Sequence, residues 1–327
     1  MSAIECEGLT KQFGRVRAVD GLDLRVEAGE IFGFLGPNGA GKSTTINVLL
    51  DFVRPTAGSV EVLGLDAQAD SLAVRERVGV LPDGYHVYDR LTGRQHVQFA
   101  IDSKRADDDP DAILERVGIP EAADRKAGGY SKGMKQRLVL GMALVGQPDL
   151  LVLDEPTTGL DPKGAREVRE IVREERDRGA TVFFSSHVLG QVEAVCDRVG
   201  ILQDGELVAV DTIEGLRAAN GAGSRLRIDL DSPYAAPAEQ IETIDGVSSV
   251  VIDDGLTVAC EDSAKNAVLS TIEREGYRIT DFATEETSLE DLFVAYTDGD
   301  AVDSRAATTK VGTPPSNGEG PAVEARR

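Results

Sequence analysis

The first two thirds of the chain alternate short apolar runs with stretches of helical periodicity. Three runs, "EIFGFLG", "DLLVLDEP" and "ATVFFSSH", are almost continuously apolar and end in turn residues. This pattern is typical of strands buried on both faces of a parallel sheet. A helical pattern follows each run, so residues 1 to about 215 predict an α/β domain. Ligands of such domains gather at the carboxyl ends of the strands.

After Gly215 the pattern changes to shorter elements, with alternating strands and amphipathic helices. The predicted helix "SAKNAVLSTIEREG" has Ser263 as its N-cap and Gly276 at its end. The predicted elements are, in order, the strand "RLRIDL", the helix "APAEQIETI", two strands in "SSVVIDDGLTVAC" around an Asp-Gly turn, the helix just named, the strand "YRITDFA" and the helix "SLEDLFVAYT". The order β-α-β-β-α-β predicts a small α+β domain of the ferredoxin-like type.

From Asp298 onward the chain is rich in Gly, Pro, Ser and Thr and has few apolar residues. Such a segment cannot bury enough apolar surface to offset the entropy of ordering, so we predict a disordered tail. The predicted organisation is therefore a larger domain over 1–217, an accessory domain over 218–297 and a tail over 298–327.

The charge of the chain is strongly negative, with 35 basic and 57 acidic residues and a net charge of −22. The acidic residues are spread along the whole sequence and do not form a block. Such a surface repels nucleic acid and anionic lipid at ordinary salt, so no nucleic-acid partner is expected. At about 1 M salt the Debye length is roughly 3 Å and self-repulsion is screened. We therefore hypothesise a halophilic cytoplasm as the working environment.

The sequence shows no sign of a membrane span or a secretory signal. No apolar run reaches the length of about 18 residues that a transmembrane helix requires, and the N-terminus "MSAIECEGLTKQFG" is charged and lacks an apolar core segment. Cys6, Cys196 and Cys260 are odd in number and widely spaced. They fit no zinc or disulfide pattern, which favours reduced cytosolic cysteines.

A glycine-rich loop follows the first apolar run and precedes a helical segment. "GPNGAGKSTT" matches G-x-x-x-x-G-K-[ST] in the required strand–loop–helix context. Backbone N–H groups of such a loop wrap phosphates, Lys42 reaches the β- and γ-phosphates, and Ser43 can bind Mg²⁺. The predicted nucleotide-binding residues of this phosphate loop are Gly36, Pro37, Asn38, Gly39, Ala40, Gly41, Lys42, Ser43 and Thr44.

The second apolar run ends in two adjacent acids, Asp154 and Glu155. Neighbouring side chains on a strand point to opposite sides, so the two carboxylates can serve different groups. We assign Asp154 to the metal and Glu155 to the attacking water as general base. Two solvated acids at a strand end are the alternative, which the phosphate loop makes much less attractive.

A second candidate anion site lies in "YSKGMKQRLVLGMAL". Ser131 occupies an N-cap position, Gly133 allows close approach of the backbone, and apolar residues then recur at helical spacing. A helix start with free N–H groups and a hydroxyl is suited to an anion. The residues alone do not say why one chain needs two such sites.

The motifs "GPNGAGKSTT", "YSKGM", "LLVLDEPTTGLD" and "SSH" resemble, in order and spacing, those of ATP-binding subunits of ABC transporters. The resemblance covers residues 3 to 215. It implies a P-loop NTPase fold with a helical subdomain, ATP and Mg²⁺ as ligands, ATP hydrolysis, and two subunits that enclose two nucleotides head to tail. "YSKGM" resembles the signature loop L-S-G-G-Q. The resemblance then places Ser131, Lys132, Gly133 and Met134 against the nucleotide of the other subunit.

Three further positions carry over by the same resemblance. Phe13 falls where the family stacks an aromatic ring on adenine, although a core phenylalanine is the alternative. Asp161 in "TGLDP" resembles the D-loop that crosses the dimer interface. His187 falls at the switch histidine that contacts the γ-phosphate, and it is expected to be catalytic together with Glu155 and Lys42. His86 and His96 have no such context.

The sequence departs from the family pattern in three places. Asp83 stands where the Q-loop usually has Gln, and it is either a ligand of Mg²⁺ or its water, or a solvated loop acid. Tyr130 and Lys132 replace Leu and Gly of the signature. Lys132 either adds positive charge near the partner's phosphates or is simply exposed. Thr158 replaces a serine, which is a mild change.

The ending "TEETSLEDLFVAYT" resembles that of ATP-binding subunits of ABC-2-type systems, which favours export over import. The implied partners are a membrane permease on a separate chain and a second ATPase subunit, identical or paired. The resemblance places the protein at the cytoplasmic face of the membrane, with the loop Pro82–Gly93 receiving the permease. A soluble ABC ATPase of repair or translation is disfavoured, since the chain has neither an inserted coiled coil nor a second ATPase domain.

Overall fold

A computed structural model describes residues 1–219, 225–231, 237–252, 255–285 and 288–297. The predicted tail from Asp298 and the two residues of the predicted Asp-Gly turn that precede Gly255 lie outside these ranges. In the described part of the chain, no helix is both long enough and apolar enough to cross a membrane.

Two sheets make up most of the first domain. Its elements are, in order, β1 (Ser2–Phe13), β2 (Val16–Glu27), β3 (Ile31–Leu35), α1 (Lys42–Leu49), β4 (Ala57–Val62), β5 (Leu65–Asp66), α2 (Ser71–Arg77), β6 (Val78–Leu81), α3 (Gly93–Lys104), α4 (Pro110–Arg116), α5 (Lys132–Leu144), β7 (Leu150–Asp154), α6 (Pro162–Arg178), β8 (Thr181–Ser185), α7 (Leu189–Glu193), β9 (Arg198–Gln203), β10 (Glu206–Asp211) and α8 (Ile213–Ala219). The order of the strands in the sheets decides where ligands can gather.

The central sheet has six strands in the order β10-β9-β3-β8-β7-β6. All neighbours in it are parallel except β10, which pairs antiparallel with β9. Every residue of β3, β7 and β8 is buried, so the three apolar runs form buried parallel strands as predicted. Since these strands are adjacent, the residues that follow them meet at one edge of the sheet.

The second sheet is antiparallel, in the order β2-β1-β4-β5. Its strands alternate buried and exposed positions, as expected of a sheet with one face on the core. The core between the two sheets contains Phe32, Phe34 and Phe183 together with apolar residues of α1. The rings of Phe32 and Phe183 stack with centroids 5.9 Å apart. This packing fixes the position of α1 relative to β3.

The predicted helical subdomain is formed by α3, α4 and α5, whose inner faces belong to a second core. Thr92 caps α3 in a capping box with Gln95. Ser131 caps α5, since its hydroxyl accepts a hydrogen bond from the Met134 amide at 3.2 Å. The predicted N-cap at Ser131 is therefore confirmed.

The C-terminal elements are β11 (Arg225–Leu230), α9 (Ala238–Glu242), β12 (Val247–Ile252), β13 (Leu256–Cys260), α10 (Lys265–Arg274), β14 (Ile279–Glu285) and α11 (Leu289–Thr297). The antiparallel strand order β12-β13-β11-β14 is that of a ferredoxin-like domain, as predicted. The predicted N-cap Ser263 is wrong: α10 starts later, after a short 3₁₀ turn, and the Ser263 hydroxyl donates to Glu261 at 3.3 Å. Gly276, with φ of +90°, follows α10 as predicted.

The last helix, α11, packs against the first domain. Leu289 and Leu292 are fully buried in the same core as Ile213 and Leu216 of α8. An ion pair of 3.2 Å from Arg225 on β11 to Asp291 connects this helix to the C-terminal sheet. The helix α11 therefore contacts both the core of the first domain and the first strand of the C-terminal sheet. The exact domain boundaries stay a prediction.

Candidate functional site

The phosphate loop connects the carboxyl end of β3 to the start of α1, as predicted. Gly39 and Gly41 have φ of +86° and +111°, a backbone conformation that glycine adopts without strain. A Cβ on Gly41 would overlap the carbonyl oxygen of Ala18, and one on Gly36 would lie 2.5 Å from that of Leu202. A cavity of about 290 Å³ lies at the loop, lined by Ala18, Asn38, Gly39, Gly41, Lys42, Ser43 and Thr44.

Lys42 is held inside this loop, with 8% of its surface exposed. Its ammonium donates to the carbonyl oxygens of Gly36 at 2.6 Å and Pro37 at 3.2 Å. Burial lowers the pKa of Lys42, while the carboxylates of Glu155 and Asp154 act in the opposite direction. The loop therefore carries a fixed cation next to backbone N–H groups, which is a phosphate-binding arrangement.

Asp154 lies at the end of β7, where it meets groups from two neighbouring elements. Its carboxylate accepts a hydrogen bond from the Ser43 hydroxyl at 3.2 Å and another from the Ser185 hydroxyl at the end of β8. Ser43 and Asp154 offer hard oxygen donors, which are the ligands that Mg²⁺ prefers. No role was predicted for Ser185 from the sequence, although a polar residue that closes an apolar strand was the available signal.

Glu155 does not continue the strand. The strand β7 ends at Asp154, and Glu155 has a left-handed backbone with φ of +52°. The prediction that strand alternation separates the two carboxylates is therefore wrong, because a backbone turn separates them. The Glu155 carboxylate accepts from Nδ1 of His187 at 2.8 Å and is mostly shielded from solvent. His187 itself is 56% exposed, so it stands between Glu155 and the solvent.

Phe13 lies at the end of β1 and 49% of it is exposed. A core role for this ring is therefore excluded. The ammonium of Lys11 lies 4.8 Å from the centre of the ring. The ring is thus available at the surface, and its predicted stacking on adenine stays a prediction.

Asp161 precedes α6 and acts as its N-cap. Its carboxylate accepts a hydrogen bond of 2.8 Å from the Gly164 amide. The side chain is exposed on the same surface as Arg137 and Glu167. Its predicted place at a dimer interface is compatible with this exposure.

The signature residues do not line the cavity of the phosphate loop. Ser131 and Lys132 are exposed at the start of α5, and Gly133 lies close to Leu160. The carbon chain of Lys132 packs over Gly159, which leaves no room for a side chain there. The structure thus brings together the phosphate loop, Asp154, Glu155 and His187. The signature residues lie outside the cavity at the phosphate loop, while Lys132 lines a second cavity that Asp154 and Glu155 also line.

Asp83 lies on the loop after β6 and is exposed. It lines a cavity of about 420 Å³ together with Lys132, Gln136, Asp154 and Glu155. This placement is compatible with both interpretations of Asp83. Tyr130, the other unusual residue, is buried, and its hydroxyl donates to the Ala122 carbonyl at 2.6 Å. The ring therefore serves the packing of the signature loop.

The parallel sheet, the phosphate loop and the two carboxylates at the strand ends define a P-loop nucleotide-binding domain. Two families match the chain: ABC transporter over residues 19–158, and ATP-binding protein DrrA1-3-like, C-terminal domain, over residues 212–297. A solved ATP-binding subunit of an ABC transporter matches with a TM-score of 0.62 and 26% identity, over 66% of this chain and 92% of that chain.

Curated relatives match nearly the whole chain. The daunorubicin/doxorubicin resistance ATP-binding protein DrrA of Streptomyces peucetius is 35% identical over 93% of this chain and 94% of the relative. The bacitracin transport ATP-binding protein BcrA of Bacillus licheniformis is 34% identical over 91% and 98%. A fluoroquinolones export ATP-binding protein of Mycobacterium tuberculosis is 34% identical over 90% and 93%. The chain therefore belongs to the family of ABC transporter ATP-binding proteins, and it is a nucleotide-binding ATPase.

Proposed function

We propose that this chain is the ATP-hydrolysing subunit of an ABC-2-type exporter, in which two subunits close around two MgATP and power a separate permease. The observation that carries the proposal is the match to drug- and antibiotic-transport relatives over both domains. The family match to the DrrA-like C-terminal domain at 212–297 is part of it, since this region lies outside the ATPase motifs. An importer ATPase is the alternative within the same class.

Each subunit holds one nucleotide through its own phosphate loop. The exposed ring of Phe13 stacks on adenine, and the loop residues 36–44 bind the phosphates through backbone N–H groups. When the nucleotide binds, the Lys42 ammonium leaves the carbonyl oxygens of Gly36 and Pro37 and contacts the β- and γ-phosphates. The negative phosphates compensate its positive charge better than neutral carbonyl groups do. Mutating this lysine should therefore remove binding as well as hydrolysis.

Ser43 and Asp154 fit Mg²⁺, because their oxygens already lie within 3.2 Å of each other beside the phosphate loop. When bound there, the ion neutralises charge on the phosphates during phosphoryl transfer. Asp83 is a third candidate ligand, directly or through water. It faces the same cavity as Asp154 and replaces the glutamine of the family pattern.

Glu155 acts as the general base for hydrolysis. Its carboxylate positions the attacking water and accepts a proton from it. His187 donates its Nδ1–H to the same carboxylate and thereby holds it in place, and it contacts the γ-phosphate from its exposed position. The two residues act as a unit, so changes at them should not be additive.

The signature loop completes the site of the second subunit. Ser131, Lys132, Gly133 and Met134 lie at the exposed start of α5, outside the cavity of their own phosphate loop. In a head-to-tail dimer this helix start faces the γ-phosphate of the partner, and Asp161 lies at the interface. The partner subunit is a second copy of the chain or a paired ATPase subunit.

The permease binds next to the loop Pro82–Gly93 at the cytoplasmic face of the membrane. A largely apolar cavity of about 460 Å³ adjoins this loop. It is lined in part by the exposed aromatic side chains of Phe52, Tyr88 and Phe99. Exposed aromatic residues around a cavity are typical of protein-binding surfaces. No nucleic acid is part of the proposed function.

The remaining features of the proposal concern organisation and environment. The ATPase domain covers 1–217, the accessory domain 218–297 and the tail 298–327. The net charge of −22 fits a protein that works in concentrated salt, where self-repulsion is screened. A halophilic cytoplasm is therefore part of the proposal.

The test compares two glutamate-to-glutamine variants in molar KCl. Glu155→Gln should bind MgATP with affinity close to wild type and lose hydrolysis by about 100-fold or more, since the general base is removed. Glu170→Gln changes an exposed acid that pairs with Arg166 on α6 and should keep full activity. Hydrolysis retained by Glu155→Gln would contradict the proposed mechanism, and ATP-driven import by the purified complex with its permease would contradict the proposed transport direction.

A further inference from the structure

A buried polar side chain of α5 contacts the backbone of the catalytic glutamate. Gln136 is 3% exposed, and its amide nitrogen donates to the carbonyl oxygens of Glu155 at 3.2 Å and Pro156 at 3.0 Å. Gln136 lies on the helix that begins with the signature residue Ser131. It belongs to none of the motifs assigned above.

The backbone at Glu155, to which Gln136 donates, has a conformation that needs stabilising contacts. Glu155 is a non-glycine residue with φ of +52°, a conformation that persists only where surrounding groups determine it. Two backbone hydrogen bonds contribute: the Glu155 amide donates to the Ser185 carbonyl at 3.1 Å, and the Thr158 amide donates to the Glu155 carbonyl at 3.2 Å. The side-chain amide of Gln136, which lies on α5, donates two further hydrogen bonds. These bonds fix the two peptide units that follow the Glu155 Cα atom.

The position of this backbone decides where the carboxylate points. The Glu155 side chain reaches His187 at 2.8 Å and the Thr158 hydroxyl at 3.4 Å. If the two peptide units after the Glu155 Cα atom rotated, the Glu155 Cα–Cβ bond would change direction. The carboxylate would then move away from the attacking water. A buried donor pair that prevents this rotation therefore acts on catalysis without touching the substrate.

We infer that Gln136 is a positioning residue for Glu155, which links the orientation of the general base to the position of the signature helix α5. The inference rests on the proposed role of Glu155 as general base. Any displacement of α5 when the signature loop meets the partner's nucleotide is transmitted to the Glu155 backbone through these two hydrogen bonds. The ATP-binding residues of the phosphate loop lie on other elements and are not part of this connection.

The test replaces Gln136 by residues of similar length. Gln136→Met removes both donors, and Gln136→Glu replaces them with acceptors that face the two carbonyl oxygens. We expect kcat to fall by about 10- to 100-fold for Met and further for Glu, while KM for ATP changes by less than about twofold. Gln98→Met, which removes an exposed amide bonded to Asp102 on α3, is the matched control and should keep the wild-type kcat. If Gln136→Met does not fold, Gln136→Ser serves with the same expectation.

A double-mutant cycle separates positioning from a general structural effect. In the Glu155→Gln background, Gln136→Met should cause no further loss of hydrolysis and should leave ATP-driven dimerisation intact. Additive losses, or dimerisation lost with the Gln136 change alone, would overturn the inference in favour of a structural role. Unchanged kcat in Gln136→Met would also overturn it, provided that Glu155→Gln abolishes hydrolysis. Hydrolysis retained by Glu155→Gln would instead remove the proposed function on which the inference rests.

Discussion

The starts of α1 and α5 both offer backbone N–H groups to an anion, but they differ in what surrounds them. At α1 no side chain caps the helix, because Gly41 stands at the N-cap, and the buried Lys42 and the carboxylate of Asp154 lie beside it. At α5 the Ser131 hydroxyl already caps the Met134 amide, and the start of the helix is exposed.

This difference indicates that the two sites have different roles in nucleotide binding. The α1 site has its own buried cation, and the proposed metal ligands and general base lie beside it, so we expect it to bind a nucleotide within one chain. The α5 site has a hydroxyl, a glycine and the exposed Lys132, and it lies outside the cavity of the phosphate loop. We therefore expect changes at α1 to abolish binding and changes at α5 to affect only the assembled dimer.

The largest effect is expected at α1. Lys42→Ala should remove measurable ATP binding and reduce hydrolysis by about 100-fold or more, because the phosphates lose their buried cation. Calorimetric titration with ATP and a phosphate-release assay measure the two quantities. Lys126→Ala, at an exposed position before the signature loop, is the control with wild-type binding. Wild-type affinity in Lys42→Ala would contradict the comparison.

At α5 a pair of substitutions separates helix capping from phosphate contact. Ser131→Asp and Ser131→Asn both keep a good N-cap, so both variants should melt within a few degrees of the wild type. Only the aspartate adds a negative charge where the partner's γ-phosphate is proposed to lie. We expect Ser131→Asp to bind ATP as a monomer and to lose dimerisation and hydrolysis, while Ser131→Asn retains more of both. Equal behaviour of the two variants would argue against a phosphate at this helix start.

A smaller effect is expected from salt. Screening at about 1 M salt should relieve the repulsion of the net charge of −22, so the melting temperature and the ATPase rate should rise with KCl concentration. Thermal melts and initial rates between low and molar KCl provide the measurement. A protein that is fully folded and active at low salt would rule out the halophilic interpretation.

The smallest effect is expected at Asp83. If this carboxylate binds the metal or its water, Asp83→Gln should raise the Mg²⁺ concentration required for half-maximal hydrolysis, since an amide is a weaker ligand than a carboxylate. A magnesium titration at saturating ATP measures this shift. No change in the Mg²⁺ dependence would leave Asp83 as a solvated loop acid.

The sequence was sufficient for most of the fold because its strongest patterns are local. The continuous apolar runs predicted β3, β7 and β8, and alternation with helical periodicity predicted the ferredoxin-like order of the C-terminal sheet. The start of α10 was predicted wrongly because the Ser263 hydroxyl can hydrogen-bond to Glu261 as well as to the N-terminus of a helix. The packing of α11 on the first domain was not foreseen, since an amphipathic helix does not specify which core it covers.

The site was predicted where a motif carries the chemistry and missed where tertiary contacts do. The phosphate loop and Asp154 lie at the predicted sheet edge, and the Glu155–His187 contact brings two separately predicted residues together. The left-handed backbone of Glu155 and the hydrogen bonds from Gln136 depend on the contact of α5 with the residues that follow β7, for which the sequence has no local signal. The exposure of the Phe13 ring could likewise be seen only in the structure.

The central claim is that the α5 site completes the α1 site of another subunit. The most direct measurement is the mass in solution of the Glu155→Gln protein in molar KCl, with and without MgATP. Removing the proposed base should trap the nucleotide-bound state, so we expect a shift from monomer to dimer on addition of ATP. A mass unchanged by ATP that is demonstrably bound would contradict the claim that the isolated subunit closes around two nucleotides.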